Sequence, residues 1–397
     1  MPQLSKRAHD MPASPIRRLV PFADQAKARG VRVHHLNIGQ PDIATPSGMI
    51  QAYRSYNEKV LAYGPSQGIP ELRRAVSEYF KRLSLPVEPH HVSVTVGGSE
   101  AVRFAMDAVA DPGEEVIVFE PFYANYAGFG VSGGVKVVPV QASAQDGFHL
   151  PPDAAIEAVI TPRTRAILVC TPGNPTGTVY TAAEMARVGA LAEKHDLFVI
   201  SDEVYREFAY DGVTVTSALS LPCAPERVIV VDSVSKRYSA CGARVGFIIS
   251  TNDAVNDAIM RMCFARLCPA TVDQLAAVAG YATPQSYFDE VVAEYTKRRD
   301  TLVKGLNGLQ GVHTYKPEGA FYTVATFPVA DCDHFAQWLL TDFSFRGETV
   351  MMAPASGFYG TPGLGRSEAR IAYVLAVPAL EASVRVLEEA LKVYPGA

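Results

Sequence analysis

The sequence predicts an α/β fold, with a large domain built on a mostly parallel seven-stranded sheet flanked by helices and a smaller α+β domain. Three observations carry that expectation. Seven short runs rich in valine and isoleucine follow from residue 92 on: V-S-V-T-V, E-V-I-V-F-E, K-V-V-P-V, A-I-L-V-C, F-V-I-S-D, V-I-V-V-D and G-F-I-I-S. Apolar runs of this length read as strands buried on both faces. Helical segments lie between many of them, the pattern of parallel strands joined by crossovers. After residue 285 the rhythm changes to a long helix, short strands and a final amphipathic helix.

Along the chain, Pro15 to Gly30 predicts a short helix with Gly30 as its stop. L-N-I-G-Q-P-D, Leu36 to Asp42, is a loop centred on Gly39. Tyr63-Gly64-Pro65 and Gly68 form a turn before a helix from Pro70 to Leu83, whose Leu72, Val76, Tyr79, Phe80 and Leu83 recur at helical spacing. Thr181 with Glu184 three residues on is a capping-box pattern, and starts a helix reaching His195. Further on come a helix from Gln285 to Leu309, P-E-G-A-F-Y leading into a strand, and a helix around Phe335 to Leu340. Val350 to Ala355, A-R-I-A-Y-V and a helix from Pro378 to Val393 complete the chain.

Composition narrows the function. Of 397 residues, 48% are hydrophobic and 19% charged, which provides for a large core and argues against disorder. A net charge of -5 argues against a nucleic-acid or anionic-membrane binder. No apolar run is long enough for a bilayer, and the polar N-terminus has no signal-like apolar region. Six cysteines lie scattered without metal-ligand or disulfide-framework spacing, so no metal site and a reduced, cytoplasmic setting are expected.

The chemistry concentrates where strands end. In D-S-V-S-K-R-Y-S-A-C-G-A-R-V-G, Asp232 to Gly246, Lys236 stands at the mouth of a buried strand. Desolvation there favours the neutral amine, the form that attacks carbonyls to make Schiff bases. Ser233, Ser235 and Arg244 would bind an anion beside it. G-G-S-E, Gly97 to Glu100, ends one strand and opens a helix, a phosphate-binding arrangement. T-P-G-N-P-T-G presents Asn174 from a turn, and S-D-E-V-Y places Asp202 in a buried site, where it stays ionised only if paired. Tyr123 in E-P-F-Y-A-N-Y follows another strand, and Arg370 lies in E-A-R-I-A-Y-V, beside an apolar run that disfavours a surface position.

Together these motifs resemble the class I/II aminotransferases of aspartate aminotransferase type, which are fold-type I pyridoxal-phosphate enzymes, over nearly the whole chain. The resemblance implies pyridoxal 5′-phosphate as cofactor, carried on Lys236. It implies a phosphate seat of Gly98, Ser99, Glu100, Ser233, Ser235 and Arg244. Tyr123 would lie on the ring, Asp202 would pair with its nitrogen, and Tyr205 and Asn174 would bond its 3′-oxygen. Gly39, Asn174 and Arg370 would bind the substrate carboxylate, and Tyr63 would reach the partner subunit's cofactor in a homodimer. The implied domains are an arm with part of the small domain (1–45), a large domain (46–285) and a small domain (286–397). The implied reaction is ping-pong transfer between an amino acid and a 2-oxo acid, with Lys236 as acid and base.

Aspartate with 2-oxoglutarate is the expected pair, with an aromatic, alanine or kynurenine-type donor, a C–S lyase, or a non-catalytic amino-acid sensor as alternatives. A dicarboxylate needs a second cation, and Arg266, Arg103, Arg17 and Arg18 are candidates. Tyr123, Tyr126 and Phe321 are the aromatic residues expected around the site.

Overall fold

The computed structural model describes residues 2–396. Thirteen strands occur in chain order: β1 (Arg32–His35), β2 (Val92–Val96), β3 (Glu115–Glu120), β4 (Lys136–Gln141), β5 (Thr164–Cys170), β6 (Phe198–Asp202), β7 (Val228–Ser233), β8 (Val245–Ile249), β9 (His313–Thr314), β10 (Tyr322–Thr326), β11 (Glu348–Met351), β12 (Ala353–Pro354) and β13 (Glu368–Ala372).

The seven apolar runs become one seven-stranded sheet, ordered β2-β8-β7-β6-β5-β3-β4. β8 alone runs antiparallel to its neighbours β2 and β7, and the remaining pairs are parallel. β3 and β7 are buried at every residue, because helices cover both faces. One face packs Val94, Ile117, Ile167, Val199, Val230 and Phe247 under the helix Pro70–Arg82 and its neighbours. The other packs Val116, Leu168, Ile200, Ile229 and Ile248 against the helix Gly97–Val109. A separate apolar cluster gathers Leu306, Phe335, Leu339, Met351, Ile371 and Leu387 near the chain's end. Four strands, β12-β13-β10-β9, form an antiparallel sheet there. β1 pairs in parallel with β11, so the chain's start joins that region.

Local signals set the helix ends. Thr181 and Glu184 form the capping box ahead of the helix Ala182–Lys194. The helix Pro70–Arg82 buries Leu72, Val76, Tyr79 and Phe80. The helix expected from Pro15 to Gly30 differs, since it starts at Val20 rather than Pro15 and runs to Ala28. Residues 15–19 form turns instead, because Ile16 leaves the helical path to pack against Ala124, Ala353 and Phe358.

This topology places the site. The parallel strands all end at one edge of the sheet. β8, running the other way, begins at that same edge, which brings Arg244 beside the ends of β2 and β7. The crevice outside the carboxyl ends of such strands is where α/β folds bind ligands.

Candidate active site

A cavity of about 700 Å³ opens at that edge. Each wall follows from a strand end. β2 ends into the helix Gly97–Val109, whose first turn presents Gly98 and Ser99 to the cavity. β7 ends at Ser233, whose hydroxyl donates to Val245 O (2.8 Å) and lies 2.9 Å from the Ser235 hydroxyl. Arg244 adopts a left-handed conformation (φ 53°), and its Nη1 donates to Cys241 O at 2.9 Å. It forms no ion pair among the described residues. A side chain at Gly97 would strike the Arg244 guanidinium, and one at Gly246 would strike the backbone of Gly97 and Gly98. Glycine is needed at both for this close approach. Glu100 does not line the cavity. Its carboxylate turns back to accept from Val96 N–H at 2.8 Å.

Lys236 Nζ reaches into the cavity and donates to Gly39 O at 2.8 Å, with Cys241 Sγ 3.6 Å away. Opposite it, Asp202 is 5% exposed and accepts a 2.6 Å bond from the Tyr126 hydroxyl. Burial pushes this carboxyl up to about 6, and the Tyr126 bond acts against that rise. Asn174 Nδ2 points to the Tyr205 hydroxyl at 3.4 Å, which in turn is 3.1 Å from the Tyr322 hydroxyl. Tyr123 lines the cavity, with its hydroxyl accepting from Asn125 Nδ2 at 2.7 Å.

Arg370, central in β13, is buried at 1% exposure. Its Nη1 donates to Asn174 Oδ1 at 3.1 Å, its Nη2 donates to Asn37 O, and its Nε has no partner. Its guanidinium lies over the rings of Tyr322 (4.4 Å) and Phe358 (5.0 Å). No carboxylate pairs with it among the described residues, and burial lowers its pKa. A buried cation without a counter-ion is costly, so the arrangement fits an anionic ligand.

Two expectations are corrected. Phe321 does not line the cavity. It is fully buried in the other cluster, and Tyr322 takes the place instead. Successive side chains at a strand's start point to opposite faces, so a one-residue difference exchanges core for cavity. Arg266, expected as a candidate second cation for substrate, is engaged by the protein instead: its Nη2 donates to Val94 O at 3.1 Å, and its Nε lies 3.6 Å from Glu100. Tyr63 lies outside this chain's own cavity and is 83% exposed. Tyr126, Tyr322, Cys241 and Asn37 join the site without having been singled out for these roles. Away from the cavity, the exposed His90 and Asp253 and the half-buried His91 bring their ligand-type atoms within 4.8 Å of one another.

Residues 31–372 match the model of the family described as aminotransferase class I and II. The chain belongs to that family. The aminotransferase is 32% identical to aromatic-amino-acid aminotransferase 2 of Thermococcus litoralis over 394 residues, covering 98% of each chain. It is 30% identical to an aspartate aminotransferase of Bacillus subtilis, covering 96% of this chain and 97% of that one. Among solved structures, an alanine aminotransferase from Pyrococcus furiosus superposes with a TM-score of 0.89 at 32% identity, over 98% of this chain and 100% of that one. The enzyme is therefore a pyridoxal-phosphate-dependent aminotransferase of fold-type I. The relatives are named for different amino donors, so substrate choice has to be argued from the site.

Proposed function

We propose that this aminotransferase exchanges amino groups between aspartate and 2-oxoglutarate, on pyridoxal 5′-phosphate held in the cavity described above. The reading as amino-acid exchange is carried by Arg370, a fully buried guanidinium with a free Nε and no counter-ion among the described residues, and the excess of cations over carboxylates lining the cavity favours a dicarboxylate. An α-carboxylate would supply that counter-ion through a two-pronged pair, with Asn174 and the Gly39 loop beside it.

The residues present suit the cofactor. Free N–H groups of the helix that opens at Gly97, the Ser233 and Ser235 hydroxyls and Arg244 form one anion seat. The glycines at 97 and 246 keep that seat open to backbone approach. Asp202 would hold a protonated ring nitrogen, and Asn174 and Tyr205 would donate to a ring oxygen. Tyr123 would stack on the ring, an interaction worth about 0.5–1.5 kcal/mol beyond burial. The cofactor, when bound, supplies an electron sink for the charge left when the α-proton departs. Lys236 Nζ would take and return that proton. Its present acceptor, Gly39 O, would help to orient it.

The site is proposed to be shared between two subunits. Val60, Leu61, Tyr63, Phe264 and Leu267 are all more than half exposed. The segments 60–64 and 264–271 touch, through Gly64 N to Cys268 Sγ (3.3 Å) and Thr271 Oγ1 to Ala62 O (3.4 Å). An apolar patch of this kind suits a partner surface, which would carry Tyr63 to the neighbouring cavity. The division into segments 1–45, 46–285 and 286–397 is kept as part of this reading. So is a reducing cytoplasmic setting, which suits six free cysteines.

An aromatic donor is the second reading, because Tyr123, Phe129 and Tyr322 line the same cavity. The test is kcat/KM for aspartate, glutamate, alanine, phenylalanine and kynurenine with 2-oxoglutarate as acceptor. Aspartate and glutamate are expected to lead; a preference for phenylalanine would replace the first reading with the second.

A further inference from the structure

Four cations, Arg17, Lys236, Arg244 and Arg370, line the cavity with a single carboxylate, Asp202. The proposed chemistry occupies three of the cations. Arg244 faces a phosphate, Arg370 an α-carboxylate, and Lys236 is the reacting amine. Arg17 is left over. It is exposed, and it has no ion pair and no side-chain hydrogen bond among the described residues. The other arginines that could meet a substrate are engaged by the protein. Arg18 pairs with Asp333, Arg103 Nε is 2.5 Å from Asp107, and Arg266 is bonded to backbone carbonyls beside Glu100.

Arg17 is also held in place. Asn37 Nδ2 donates to Ile16 O at 2.9 Å, which fixes the backbone one residue before it. Ile16 packs against Ala124, Ala353 and Phe358, and the Phe358 ring lies under Arg370. Asn37 O accepts from Arg370 Nη2 as well, so one asparagine ties the Arg17 turn to the Arg370 guanidinium. Burial raises the Tyr123 hydroxyl pKa to about 12, and the Arg17 charge is among the groups opposing that rise. Arg17 and Tyr123 line the same cavity, Tyr123 half-buried within it and Arg17 exposed to solvent.

We infer that Arg17 pairs with the side-chain carboxylate of dicarboxylic substrates, and so sets the preference for them over neutral ones. The inference rests on the proposed aspartate activity. A neutral side chain would leave Arg17 in water at little cost, so the residue rewards a second carboxylate without excluding alanine. Its position on the N-terminal turn explains why no strand-end motif advertises it.

The test uses the cofactor-loaded full chain as wild type, Arg17→Gln and Arg17→Lys, with kcat/KM for aspartate and alanine and the inhibition constants of succinate and butyrate. Arg17→Gln is expected to lower aspartate kcat/KM about ten- to a hundredfold, the worth of a lost charge-assisted bond. It should weaken succinate by a similar factor and change alanine and butyrate by less than about twofold, on the same reasoning. Arg17→Lys should recover part of the loss, because it keeps the charge without the planar fork. Equal losses for aspartate and alanine would overturn the inference and make Arg17 a general part of the mouth. A wild type that prefers aspartate and is unaffected by Arg17→Gln would also overturn it while leaving the aspartate activity intact. A wild type that prefers neutral donors would defeat the substrate reading itself, and the inference with it.

Discussion

The Tyr126 hydroxyl donates a 2.6 Å hydrogen bond to Asp202 Oδ2, and both groups are buried. Burial pushes the Asp202 carboxyl from 3.8 up to about 6, and the Tyr126 bond is the largest influence holding it down. Between pH 4 and 6 the folded, cofactor-free chain binds more protons at Asp202 than the unfolded chain does, so this group makes stability fall as pH rises through that window. Asp202 is then ionised near neutral pH, as pairing with a protonated ring nitrogen requires.

Tyr126→Phe is accordingly expected to raise the Asp202 pKa by about one to two units, the value of a bond to a charged acceptor. The pH at which the enzyme gains affinity for pyridoxal 5′-phosphate should move up by the same amount. The dissociation constant measured across pH 5 to 8 checks this. An unchanged midpoint would mean that Tyr126 only fills space.

Lys236→Ala is expected to abolish turnover and also the attachment of cofactor to the chain by borohydride reduction. Tyr63→Ala is expected to be impaired through the partner's site. Mixing the two variants under conditions of subunit exchange should raise activity above that of either alone, because one of the two cavities then receives both an intact Lys236 and an intact Tyr63. No recovery in exchanged heterodimers would place Tyr63 outside the neighbouring site.

Glu184 predicts a stability effect remote from the chemistry. It accepts bonds from Thr181 N (2.8 Å), Leu150 N (2.8 Å) and His149 Nδ1 (3.0 Å). Burial alone would raise its pKa, but these partners outweigh it and hold the carboxyl at about 2. A depressed carboxylate contributes stability above its unfolded pKa of 4.5, and that contribution is lost as pH falls toward 2. Glu184→Gln should therefore cost about 1–3 kcal/mol at pH 7, with the gap to wild type narrowing below pH 4.5. Urea unfolding at pH 7 and pH 3.5 measures both values, and a gap independent of pH would contradict the account.

The sheet was legible because burial on both faces leaves an unmistakable residue pattern: the seven apolar runs are the seven strands, within a residue or two at each end. The strand ends were legible for the same reason, so Lys236, Asp202, Asn174 and Ser233 could be placed at one edge from their motifs. What the sequence conceals is side-chain pairing across long separations. Tyr126 bonds Asp202 across 76 positions, and Asn37 meets Arg370 across 333. Arg266 looked unpartnered because Glu100, 166 positions earlier, comes near only in the folded chain. Tyr322 was missed for Phe321 because the face of a strand's first residue depends on register, which the local sequence does not settle.

The most direct test of the central claim, amino transfer rather than elimination or sensing, is one half-reaction without acceptor. Cofactor-loaded enzyme mixed with excess aspartate and no 2-oxo acid should release oxaloacetate, about one equivalent per subunit, and then stop, as a ping-pong enzyme must. Once the remaining aspartate is removed, adding 2-oxoglutarate should release an equal amount of glutamate and restore the capacity for a second burst. Continuous product formation without an acceptor, or binding of aspartate with no product at all, would contradict the assignment.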